Sequence, residues 1–277
     1  MSKRLKIDSR VALNNGIEMP VFGLGTYQTR AGKETRDAVL YALQIGYRLI
    51  DTAAMYGNEK EVGEAVRDSG ISREEIFVTT KLWNSDHGYD KALAAFEESR
   101  EKLGLDYVDL YLIHWPVEGL RKESWTALEA LLADGKCRAI GVSNYMTWHL
   151  DELLKYSSTV PAVNQVEFSP YLYLKDLLEY CRSHHIQSES YSPLTKGHKL
   201  VDPKLREVAA GYSKTPAQIL IRWALQRQVV VIPKSSRKER IKENSEVFDF
   251  AISDQDMKLL DSFDQDLRTS WDPSKAP

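Results

Sequence analysis

Cysteine is scarce in this chain, with Cys137 and Cys181 alone among 277 residues. They stand far apart and belong to no C-x-x-C pair. A disulfide framework or a cysteine zinc site is not expected, and a reducing cytoplasm suits such a chain. Long hydrophobic runs are missing too. No stretch approaches the ~18 apolar residues that span a bilayer. The opening MSKRLKIDSR carries basic residues with no apolar run behind them, which is not a secretory pattern. Positive charge is not in excess: 37 Lys and Arg against 40 Asp and Glu leave a net charge of −3, which argues against a general nucleic-acid binder. Low-complexity tracts, linkers and N-x-[ST] sequons are also lacking. No histidine pair has metal spacing, since His184 and His185 are adjacent, and neither a G-x-S-x-G elbow nor a G-x-x-x-x-G-K-[ST] phosphate loop occurs.

What is present is an ordinary globular composition, 43% hydrophobic and 28% charged. Near the N-terminus, Asn14-Asn15-Gly16 separates the apolar runs Arg10 to Leu13 and Ile17 to Met19, which reads as a β-hairpin. Strand-like runs follow at Val21 to Leu24, Arg48 to Asp51, Ile76 to Lys81, Val108 to His114, Ala139 to Val142, Ala162 to Val166, Ile186 to Ser190 and Val229 to Pro233. Helical patterns alternate with them: Glu34 to Ile45, Lys60 to Ser69, Tyr89 to Leu103, Lys122 to Ala133, Thr147 to Tyr156, Lys175 to His184, Pro216 to Gln226 and Lys238 to Asn244. Eight such alternations predict a (β/α)8 TIM barrel, one domain over residues 1–277, with the N-terminal hairpin closing its bottom. The alternative, an open doubly wound sheet, would want G-x-G-x-x-G after its first strand, and Gly23-Leu24-Gly25-Thr26-Tyr27-Gln28 lacks the third glycine.

A barrel gathers its functional residues at the C-terminal ends of its strands. The distinctive polar residues do fall where the apolar runs stop: Asp51, Lys81, His114, Ser143 and Asn144, Gln165, Ser192 and Lys234. Each alone has a bland reading. Asp51 could cap a turn, Tyr56 could be a loop aromatic, His114 a core histidine, and Lys234 with Arg240 a solvated charge run. Lys81 at a strand end is harder to dismiss, because lysine resists burial without a partner. Together they suit proton transfer. A tyrosine is a weak acid with a pKa near ~10; an adjacent ammonium, fixed by an aspartate, is expected to lower it. Such a tyrosine can protonate a carbonyl oxygen that a histidine polarises, while a cofactor provides the hydride.

At these residues the chain resembles the aldo-keto reductase family, over about residues 8 to 265. The segments that carry the resemblance are Leu49-Ile50-Asp51-Thr52-Ala53-Ala54-Met55-Tyr56-Gly57-Asn58-Glu59, Thr80-Lys81-Leu82-Trp83, Leu112-Ile113-His114-Trp115-Pro116, Gly141-Val142-Ser143-Asn144 and Ile232-Pro233-Lys234-Ser235. The resemblance implies NADPH-dependent reduction of aldehydes, ketoaldehydes and other small carbonyls. Tyr56 would be the acid, tuned by Asp51 and Lys81, with His114 orienting the carbonyl. Ser143, Asn144 and Gln165 would hold the nicotinamide carboxamide, and Tyr191 would stack on the ring. Gly25, Thr26, Ser192, Pro193 and Leu194 would line the dinucleotide. Lys234, Ser235 and Arg240 would hold the 2′-phosphate, and Glu243 and Asn244 would meet the adenine. Tyr27, Trp83 and Trp115 would floor the substrate pocket.

Departures from the family pattern are Ser236, Lys238 and Ser169. Only Val117 to Leu120 separates Trp115-Pro116 from the next helix, and Asp264 to Pro277 is a short tail. Both features resemble the bacterial, plant and protist members and imply an open pocket. The chain is expected to be a cytoplasmic monomer acting on a small-molecule carbonyl, with no metal, membrane or nucleic-acid partner. The alternatives are a non-enzymatic NADPH-binding member of the fold or a specialised prostaglandin endoperoxide reductase.

Overall fold

The computed structural model describes residues 5–276. Its elements run β1 (Arg10–Ala12), β2 (Glu18–Pro20), β3 (Leu24–Gly25), α1 (Lys33–Gln44), β4 (Leu49–Asp51), α2 (Glu59–Asp68), β5 (Phe77–Leu82), α3 (Tyr89–Leu103), β6 (Val108–Ile113), α4 (Arg121–Ala133), β7 (Cys137–Ser143) and α5 (Thr147–Leu154). They continue with β8 (Val163–Glu167), α6 (Lys175–Ser183), β9 (Gln187–Tyr191), α7 (Pro203–Gly211), α8 (Pro216–Gln226), β10 (Val230–Val231), α9 (Lys238–Ser245) and α10 (Asp254–Asp261).

Strands β3 to β10 form one parallel sheet in chain order. Its ends meet: Phe22 bridges Val231 and Gly25 bridges Lys234, both in parallel sense, so the sheet closes on itself. The chain is thus an α/β protein of the TIM-barrel type. The sequence places a strand at Val21 to Leu24; the regular ladder starts only at Leu24, but Val21 and Gly23 already bond to Val231 across the closure.

Alternation along each strand sorts its side chains onto two faces. Outward residues such as Ile50, Val78, Tyr111, Ile140, Val142 and Val231 join the helices in the larger apolar cluster. Inward residues such as Leu49, Phe77, Leu110, Leu112, Ala139, Val163 and Val230 form a second cluster inside the barrel. Leu13 and Met19, from the β1–β2 hairpin, belong to that inner cluster. The hairpin is antiparallel, with Val11 opposite Met19, and closes the bottom as its Asn-Gly turn predicts. Above the apolar inner layers, the inward positions turn polar: Asp51, Lys81, Ser143, Gln165 and Glu189 are all buried.

Around the barrel, Tyr89–Leu103 and Pro216–Gln226 match the sequence reading to the residue. Pro216 sits in the first turn of α8, where Thr215 and Gln218 make a reciprocal capping box. Helices α7 and α10 were not expected from the sequence. Asp202 caps α7 ahead of Pro203, and Ser253 caps α10. Among the described residues, no helix is long and apolar enough to cross a membrane, and no cluster of three or more His, Cys, Asp or Glu is placed to hold a metal. Cys137 and Cys181 are buried free thiols.

Candidate active site

Strand β4 ends at Asp51, and the chain then turns through a short 3-10 segment, Ala54–Tyr56, before α2. Gly57 leaves this turn with φ 68°, a conformation that a side chain disfavours. Asn58 ties the loop down from beneath. It accepts from the Thr52 hydroxyl at 2.7 Å and donates to the Thr26 carbonyl and Thr29 hydroxyl, each at 3.0 Å. This buried knot fixes where Tyr56 stands.

Lys81, on β5, has no exposed surface. Its ammonium donates to Asp51 Oδ1 at 2.7 Å, to the Thr52 carbonyl at 2.8 Å and to Tyr56 Oη at 3.4 Å. All three hydrogens are used, so the charge is held and aimed. Burial raises the Asp51 carboxyl, and Lys81 and Gln165 oppose that rise. The phenol of Tyr56 departs from expectation. Loss of solvent pushes it well above its ordinary value, and the Asp51 charge adds to the rise. A neighbouring ammonium does not make it a phenolate; Tyr56 keeps its proton.

His114 follows β6 and is buried, its ring 5.7 Å from Tyr56 and 5.2 Å from Trp83, both edge to face. Burial, then the Lys81 charge, drives its pKa well below the usual imidazole value, so the ring is neutral near pH 7. Its Nδ1 is buried without a partner. That leaves Nε2 as the ring nitrogen able to meet a ligand in the cleft.

The polar residues at the ends of β7, β8 and β9 are mutually bonded. Ser143 Oγ donates to the Gln165 carbonyl at 2.8 Å. Asn144, held at φ 64°, donates through Nδ2 to the His114 carbonyl at 2.9 Å and accepts from Tyr191 Oη at 2.8 Å. These bonds fix the Ser143 and Asn144 side chains at the cleft wall.

A single cleft of about 1230 Å³ joins these groups. Its lining includes Tyr56, His114, Tyr27, Trp83 and Trp115; Gly25, Ser143, Asn144, Gln165, Tyr191, Ser192, Pro193 and Leu194; and, about the start of α9, Lys234, Ser235, Arg240, Glu243 and Asn244. Two expected residues stand behind the wall instead. Lys81 touches Tyr56 from inside the barrel, and the Thr26 hydroxyl turns inward to the Asp51 carbonyl at 2.9 Å. Of the departures, Ser236 lines the cleft. Lys238 does not; its ammonium lies 5.3 Å above the Tyr41 ring. Ser169 accepts from the Tyr171 amide, away from the cleft.

The short tail adds residues that the expected pocket did not include. Thr269, Ser270 and Trp271 of the short tail also line the cleft, and Trp271 packs against Trp115 with ring centres 5.5 Å apart. Sequence reasoning missed these residues, together with Arg237 at the cationic end and Glu167 and Glu189 inside the barrel mouth. The signal for the two glutamates was available: in Val163–Glu167 and Gln187–Tyr191 both fall in phase with inward-facing residues.

A closed barrel carries a buried Asp51–Lys81 pair bonded to Tyr56 at its C-terminal mouth, beside a long cleft. The chain belongs to the aldo/keto reductase family, whose model matches residues 21–265. It is 51% identical over 271 residues to the uncharacterised oxidoreductase YtbE of Bacillus subtilis, covering 96% of this chain and 97% of that one. Glyoxal reductase of the same organism is 50% identical over 265 residues, covering 96% of each chain. The 9,11-endoperoxide prostaglandin H2 reductase of Trypanosoma cruzi is 48% identical over 266 residues, covering 95% and 94%. Among solved structures, an aldo-keto reductase from a Medee basin deep-sea metagenome library superposes with a TM-score of 0.91 at 47% identity, covering 94% and 97%. A Bombyx mori aldo-keto reductase in complex with NADP has a TM-score of 0.88 at 35% identity, covering 95% of each chain.

Proposed function

We propose that this protein reduces aldehydes, ketoaldehydes and other small carbonyl compounds to alcohols with NADPH, and that Tyr56 donates the proton. The observation that carries the reading is the buried Lys81 ammonium, bonded to Asp51 and to Tyr56 Oη at the floor of the cleft. Likeness to a glyoxal reductase supports the substrate class. Likeness to a structure solved with NADP supports the cofactor.

The residues along the cleft fit a phosphorylated dinucleotide. Lys234, Arg237, Arg240 and the Ser235 hydroxyl cluster about the start of α9, where free backbone N–H groups add to their charge. That end suits the 2′-phosphate that distinguishes NADPH from NADH. Elsewhere in the cleft, Asn144, Ser143 and Gln165 offer fixed polar atoms to a carboxamide.

NADPH held by these residues would supply the hydride that the carbonyl carbon takes up. The chain's own residues handle the oxygen. Neutral His114 donates from Nε2 to the carbonyl oxygen and fixes its position next to Tyr56. As negative charge develops there, Tyr56 Oη releases its proton to it. Lys81, 3.4 Å away, stabilises the phenolate left behind. The phenol's high resting pKa suits this order, since the proton stays in place until the substrate oxygen becomes the stronger base. Tyr27, Trp83, Trp115 and Trp271 offer apolar surface to the rest of the substrate.

The test is NADPH absorbance at a panel of carbonyls, including phenylglyoxal and methylglyoxal, set against binding of NADPH alone. Turnover of several aldehydes is expected. Tight NADPH binding with no turnover on any carbonyl would make this a binding member of the fold instead.

A further inference from the structure

Two carboxyl groups share one amide beneath the cleft. Gln165 Nε2 donates to Asp51 Oδ2 and to Glu189 Oε2, each at 2.8 Å. Gln165 and Glu189 are register partners on β8 and β9. Glu189 has no exposed surface and lies behind the cleft wall, so it reaches no ligand there. The proton transfer above makes no use of it. Its second oxygen, Oε1, is buried without a partner.

An amide nitrogen has two hydrogens, and both are spent here. The reverse orientation would set the amide oxygen against the Asp51 carboxylate, acceptor against acceptor, and the Asp51 bond therefore fixes which way round the amide stands. The bond to Asp51 alone would leave the amide plane free to turn about that bond; the second one fixes it. Gln165 lines the cleft, so the atom that it offers there is its carbonyl oxygen. A fixed acceptor in that position matches the N–H of a primary carboxamide.

We propose that Glu189 is a positioning residue for the cofactor: by sharing the Gln165 nitrogen with Asp51, it turns the Gln165 carbonyl oxygen to the nicotinamide carboxamide. The inference rests on the NADPH reading of the cleft. The charge balance agrees. Asp51 from β4 and Lys81 from β5 form one ion pair, and a second carboxylate would have no cation to face. Burial, then the Asp51 charge, holds Glu189 protonated up to about 8.

The test compares dissociation constants, by protein fluorescence, for NADP+ and its 3-acetylpyridine analogue, which replaces the carboxamide by an acetyl group and so lacks its N–H. The unaltered protein should prefer NADP+ by about tenfold, the worth of one hydrogen bond. Glu189→Leu should cut that preference below about threefold, by weakening NADP+ while the analogue binds much as before. Glu189→Asp withdraws the oxygen by one methylene and should act in the same direction, which covers the case in which the leucine variant does not fold. Glu189→Gln restores an acceptor and should keep most of the preference. A preference of unaltered size in the Leu and Asp variants, or equal weakening of both cofactors, would overturn the proposal. Failure of the unaltered protein to bind either cofactor would instead remove the NADPH reading, and this inference with it.

Discussion

Lys81 carries its charge with no water in reach, and its three partners are therefore what makes that charge tolerable. Replacing it strands Asp51, a buried carboxylate left with only Gln165. Lys81→Met should destabilise the fold by about 3–5 kcal/mol, and adding Asp51→Asn should recover part of that loss. Thermal unfolding of the single and double variants measures both; strict additivity would mean that the pair is not coupled. Glu189 offers a second, pH-dependent check. Its carboxyl titrates at about 8 in the folded protein, against about 4.3 in an unfolded chain. A raised acid pKa contributes stability that is whole below the unfolded value and fades as pH rises through the folded one. Between about pH 4.5 and 8, Glu189→Gln should therefore gain Tm relative to the unaltered protein, and a constant Tm difference across that range would refute the assignment. The sequence made these residues legible by type and position, because a lysine at the end of an apolar strand is rare without cause. The sign of the Tyr56 shift was not legible. It depends on how much solvent the assembled barrel mouth removes, which no local pattern records.

Elements differ in how much they owe to local chemistry. The hairpin, the eight strand ends and α3 and α8 follow from turn residues and periodicity that neighbours reinforce. Helix α7 hides in a loop because only Leu205, Val208 and Ala209 of its nine residues are buried. The tail is harder still, since its conformation is set by partners distant in sequence. Glu167, at the end of β8, accepts from the Thr269 amide at 2.8 Å, the Ser270 amide at 3.1 Å and the Thr269 hydroxyl. Lys196 reaches the Thr269 carbonyl from the other side. These bonds hold Trp271 over Trp115. Releasing them with Glu167→Leu should raise KM for an aromatic aldehyde about fivefold or more while changing KM for NADPH far less, since the tail meets the carbonyl end of the cleft. Equal effects on both constants would assign Glu167 to general stability of the mouth.

For the whole molecule, the barrel separates two tasks along its axis. The hairpin and apolar inner layers fill the bottom and middle, and the polar layer that the C-terminal strand ends carry opens into the cleft. That division is why eight short alternations suffice to predict both a fold and the rim where its polar residues gather, and why a particular substrate stays invisible in them: the loop and tail surfaces that would choose it meet only after folding. The central claim, proton donation from Tyr56 to a substrate reduced by NADPH, is tested most directly by single-turnover reduction of phenylglyoxal with Tyr56→Phe. The account predicts that the hydride step falls by about 10²–10⁴-fold while the dissociation constant for NADPH stays within about twofold. A Tyr56→Phe protein that reduces phenylglyoxal at the unaltered rate would contradict it.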